Sequence, residues 1–81
     1  MNSESFYLEC FEILRTGKPA VVVEVAELIA AGVPPVQVPE RIPKKMLQNN
    51  PTSMPLLIEN AACYLRSVVP IVSGTVAHLL H

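Results

Sequence analysis

From Met46 to its C-terminus the chain carries only two formal charges, Glu59 and Arg66, in a run dominated by Leu, Ile, Val, Ala and Met. So little polar surface in so short a chain limits how it can fold. A domain of 81 residues buries only roughly 60–65% of the surface its unfolded form exposes. The apolar excess therefore predicts that a second chain shares the burial, as in a homodimer or larger homo-oligomer.

Hydrophobic residues make up 51% of the chain and charged residues 16%, against roughly 25% charged in an ordinary soluble domain. Disorder needs the opposite balance, so one small folded domain is expected. The net charge is −1, and the basic residues Arg15, Lys18, Arg41, Lys44, Lys45 and Arg66 are scattered apart from the Lys44-Lys45 pair. Phosphate-backbone binding draws on Lys and Arg clustered on one face. The sequence thus argues against direct nucleic-acid binding by the monomer. Pairing of two Arg41/Lys44/Lys45 clusters across a dimer is the one route left to it.

Met1 to Ser5 offers neither a basic segment nor an apolar run, so no secretory signal is expected. The stretch from Leu65 to Leu80 is broken by Arg66, Pro70, Ser73, Gly74, Thr75 and His78, short of the roughly 20 apolar residues of a spanning helix. Cys10 and Cys63 then read as reduced thiols of a cytoplasmic protein.

The periodicities predict an all-α fold of three to five helices. Residues 3–16 form an amphipathic helix, with Phe6, Cys10, Ile13 and Leu14 on its apolar stripe, Tyr7 and Phe11 widening it, and Gly17 as the stop. Residues 19–31 form a second, entered through Pro19 and stopped by Gly32. Its polar surface is limited to Glu24 and Glu27, so it is expected to be the central, most enclosed element. Residues 33–43 hold four of the eight prolines and are expected to run as an extended, polyproline-like connector packed along the surface through Val36, Val38 and Ile42. A short helix is expected over 44–49, a long one over 53–69 and, beyond Pro70, a C-terminal helix over 71–81, with a hairpin at Val-Ser-Gly-Thr-Val as its alternative. On the long helix Leu57, Ile58, Ala61, Leu65 and Val68 mark the apolar side, and Glu59, Asn60, Arg66 and Ser67 the wet one.

Ile58, Leu65, Val72 and Leu79 recur every seven residues, with Ala61, Val68 and Thr75 between them, which is a heptad seam. Flanking charges are missing and Pro70 intervenes, so a kinked pair or bundle face is expected rather than a long coiled coil. Val25 to Val33 is similar to the first helix and turn of a helix-turn-helix. Pro34, Pro35, Pro39 and Pro43, with no basic face, argue against a recognition helix.

Chemistry is sparse. Asp and Trp are absent from the sequence. Cys63 lies one helical turn from Glu59 and from Arg66, and an adjacent Arg lowers a thiol pKa, but a small packing residue accounts for it better. His78 and His81 at i, i+3 are too few for a zinc site, and Glu9/Glu12 and Glu24/Glu27 fit solvated helix faces. No Gly-rich phosphate loop, CxxC or GxSxG occurs. No catalytic residue, cofactor or metal is assigned.

The function expected on these grounds is contact: a small cytoplasmic regulatory or adaptor protein that binds another protein. An inhibitor or antirepressor of a bacterial or phage regulator is one concrete form. Leu57, Leu65, Val68, Val72, Val76 and Leu79 are the self-association candidates, and Phe6, Tyr7 and Phe11 the aromatic anchors for a partner. The alternative is a membrane-peripheral subunit using the apolar C-terminal third, disfavoured because Arg66 is its lone basic residue. A thiol-dependent enzyme ranks last.

Overall fold

The computed structural model describes residues 3–47 and 53–68. Among these the chain forms four α-helices and no strand: α1 (Ser3–Gly17), α2 (Pro19–Ala30), the single turn α3 (Val38–Arg41) and α4 (Met54–Val68). Two 3₁₀ turns, Pro35–Gln37 and Lys44–Leu47, flank α3. The expected C-terminal helix over 71–81 and its hairpin alternative lie outside the described residues.

Gly17 does not end α1 in a left-handed turn. It stays helical, and the Lys18 N–H still donates to the Leu14 carbonyl at 2.7 Å. The bend falls on Lys18, whose backbone opens to φ −143°, ψ 69° before Pro19 starts α2. Proline suits that position because a first-turn N–H has no partner within the helix. Gly32, at φ +91°, does close α2. Its N–H donates to the Ile29 carbonyl and the Val33 N–H to the Leu28 carbonyl, both at 3.0 Å. These are the two bonds of a Schellman motif, and Val33 and Leu28 both pack on the core, as its apolar contact requires.

The proline-rich segment corrects the expectation of an extended connector. Pro34 (φ −62°, ψ 142°) and Ile42 (φ −75°, ψ 131°) are extended, but the chain between them coils through Pro35–Gln37 and Val38–Arg41. Each proline there sits in the first turn of its short helix, where its missing donor costs nothing. Fully buried Val38 and Ile42 pin the segment to the core. With α3 only one turn long, no recognition helix follows α2 in this segment. Likewise, the helix expected over 44–49 is a 3₁₀ turn over Lys44–Leu47, and residues 48–50 lie outside the described residues.

The central element is α4 rather than α2. α2 buries one stripe, Val21, Val25 and Ile29, at i, i+4, i+8, and leaves Ala20, Val23, Ala26 and Ala30 exposed. Three of these four are alanines, whose small side chains expose little apolar surface, and apolar residues are common on protein surfaces, so an apolar composition does not by itself enclose a helix. α4 packs against α1, α2 and α3. Met54, Ile58, Ala61, Ala62 and Leu65 form its core side, closed by Leu14, Val21, Val25, Ile29, Val38 and Ile42. Its flank from Leu57 through Asn60 to Tyr64 lies under α1, which is why Asn60, expected on the wet side, is 9% exposed.

Burying a Val, Leu or Ile side chain contributes about 1.5–3 kcal/mol, so the core side of α4 carries much of the stability. Ile58→Ala is expected to cost about 2–5 kcal/mol in urea denaturation. Gly32→Ala, which has open space for a Cβ but the wrong φ for one, is expected to cost about 1–2 kcal/mol. Leu56→Ala, on the exposed side of α4, should stay within about 0.5 kcal/mol of the wild type.

Candidate functional site

α1 and α4 run in the same direction. Phe6 lies beside Leu56 and Leu57, Cys10 against Asn60, and Phe11 against Tyr64 with ring centroids 5.0 Å apart. Where the two helices begin, their surfaces diverge and leave a groove of about 150 Å³ lined by Phe6, Cys10, Ser53, Leu56, Leu57 and Asn60. Phe6 (48% exposed) and Leu56 (61%) stand at its edges, whereas Cys10 (5%) and Asn60 (9%) lie at its floor. Small-molecule sites typically span about 300–1,000 Å³. This groove is the size of a single side chain.

The floor is polar in a limited way. The Asn60 side chain hydrogen-bonds the Cys10 thiol, which favours the thiolate. Burial and the nearby Glu9 carboxylate act the other way, burial most strongly, and the thiol stays above its ordinary pKa. Cys63, half-buried, is also pushed up, by burial first and Glu59 second, while Arg66 opposes them without prevailing. The arginine one turn away therefore does not make Cys63 an activated nucleophile. Both cysteines are free thiols.

The expected partner residues divide. Phe6 is at the groove, and Tyr7 packs beside it with centroids 6.4 Å apart. Phe11 is half-buried and spent on Tyr64 within the chain. Of the self-association candidates, Leu65 (9% exposed) belongs to the intramolecular core and Leu57 packs against it, while Val68 (52%) is exposed at the end of α4. Val72, Val76 and Leu79, like His78 and His81, lie outside the described residues. The far side of α1 is wet, marked by Arg15 Nη2 on Glu12 Oε2 at 2.7 Å.

Leu56, Asn60 and Ser53 carry no site role on sequence grounds, Asn60 being expected on the wet side of the long helix. One signal was present: Leu56 is a large apolar residue off the main stripe of α4, where a purely structural helix needs none. Asn60 gave none, because its burial comes from α1 rather than from its own helix. Among the described residues no group of three or more His, Cys or Glu is placed to hold a metal ion, and no helix is long and apolar enough to cross a membrane.

Because both thiols favour their protonated form, alkylation by iodoacetamide should be slow at neutral pH for the folded protein. The rate should climb only on the alkaline side of the ordinary thiol range, as the thiolate appears. Cys63 should react before the more deeply buried Cys10, with peptide mass spectrometry reporting the order. Fast neutral-pH labelling of Cys10 would contradict the packed groove floor. No protein-family model, curated protein or solved structure matches this chain.

Proposed function

We propose that this is a small regulatory or adaptor protein that acts by binding another protein, with the α1/α4 groove receiving one large apolar side chain of the partner. The observation that carries the reading is the combination of groove size and exposed edges: Phe6 and Leu56 flank a space of about 150 Å³. Interfaces concentrate their affinity in a few such anchor-and-pocket contacts, and Phe6 with Tyr7 supplies the aromatic surface that interfaces favour. Inhibition of a bacterial or phage regulator remains one concrete form of this role, resting on size and near-neutral charge.

Self-association as a homodimer or larger is part of the same proposal. Of the self-association candidates among the described residues, Val68 is the exposed one. Leu65→Arg would test folding, because that side chain is in the core. Val68→Arg tests association without that confusion, and light scattering behind size exclusion should show a smaller species for it than for the wild type.

The groove is tested by a photo-crosslinking amino acid at position 56 in the full-length chain, expressed in its host. A discrete cross-linked protein is expected, lost on Phe6→Arg and retained on Val23→Arg, which alters an exposed apolar residue of α2. Equal loss with both substitutions, or cross-links to lipid alone, would overturn the reading, the latter in favour of a membrane-peripheral role.

A further inference from the structure

The fold brings together two basic segments that lie far apart in the chain. Lys18, at the bend between α1 and α2, and Met46, in the Lys44–Leu47 turn, line one cleft of about 260 Å³, together with Gly17, Pro19, Ala20 and Val21. Met46 carries Lys44 and Lys45 with it, both exposed. The ion pair seen among the described residues is Arg15–Glu12, on the outer side of α1, and none of these three lysines is paired with a described carboxylate. The cleft is therefore an apolar depression with Lys18 in its lining, and Lys45 and Lys44 stand one and two positions along the chain from Met46, which also lines it.

We infer that this corner docks an acidic segment of another protein, one that places an aliphatic side chain in the cleft and carboxylates toward Lys18, Lys44 and Lys45. The site is separate from the α1/α4 groove and does not depend on it. Charge complementarity selects the occupant, since Lys18 in the lining, with Lys44 and Lys45 beside Met46 in the chain, attracts acidic surfaces and repels basic ones. A second copy docking through this same corner would set lysine against lysine. Single-stranded nucleic acid is disfavoured by the lining: base stacking needs aromatic platforms, and Phe6, Tyr7, Phe11 and Tyr64 pair on the α1 and α4 surfaces instead. An aliphatic floor of Val21, Ala20, Pro19 and Met46 suits a leucine or methionine.

The test is an NMR titration of the isotope-labelled full-length chain with a short synthetic peptide holding one leucine flanked by glutamates on both sides. Amide shifts are expected to concentrate at Lys18, Ala20, Val21 and Met46 and to shrink as salt is raised, because exposed charge pairs are screened. The Lys18→Gln/Lys45→Gln variant should bind on the order of tenfold more weakly, and Val36→Arg, at an exposed position outside both the cleft and the groove, should bind as the wild type does. A control peptide with glutamine for every glutamate should give no shifts. Should the double variant not fold, the salt dependence and the glutamine control decide the matter alone. Absent or dispersed shifts with the acidic peptide, or equal shifts with the control, would overturn the proposal. So would tighter lysine-dependent binding of oligothymidylate or of phosphatidylserine vesicles.

Discussion

The burial of α4 is the constraint on which the rest of the structure depends. Ile58, Ala61 and Ala62 are completely enclosed, and the two alanines leave room for the neighbouring helices to approach the α4 backbone. Every other described helix contributes to that enclosure: Leu14 from α1, Val21, Val25 and Ile29 from α2, and Val38 with Ile42 from the proline-rich segment. Without α4 those side chains have no common surface to cover. Interiors pack at the density of organic crystals, so a single lost contact here is felt by three elements at once.

The same arrangement creates the candidate site. α1 covers the flank of α4 at Asn60 and Tyr64, and the two helices run side by side in one direction, so their beginnings lie at the same end. Phe6 and Leu56 face outward there, above a floor made by Cys10 and Asn60. Burial of the Cys10 thiol there outweighs the opposing influence of the Asn60 side chain, so the floor holds a protonated thiol. The groove is thus a consequence of how α1 is seated on α4, and its small volume follows from that close seating.

Much of the fold was legible in the sequence, and the departures share a physical cause. The amphipathic stripe Phe6, Cys10, Leu14 identified α1, and Pro19 and Gly32 bounded α2 because proline and glycine act locally. The rank of the helices was not legible, because an alanine-rich composition does not say which alanines are covered: Ala61 and Ala62 are buried, Ala20 and Ala26 exposed. A run of prolines favours extension, yet proline in a first turn is equally compatible with short coils, and only the burial of Val38 and Ile42 decides between them. Asn60 escaped for the same reason: its burial is supplied by a helix more than forty positions earlier. Of the site, Phe6 and Tyr7 were visible as aromatic residues on one helix, while Leu56 acquires meaning only once α1 lies beside it.

The most direct test of this account is amide hydrogen exchange along the chain, measured free and in complex with the cross-linked partner. With α4 as the organising element, the slowest exchange in the free protein is expected at residues 58–65. Binding should add protection at 4–10 and 53–60 while leaving 19–30 unchanged. Slowest exchange in α2, or a binding footprint on α2 rather than on the two sides of the groove, would contradict both the architecture described and the function proposed from it.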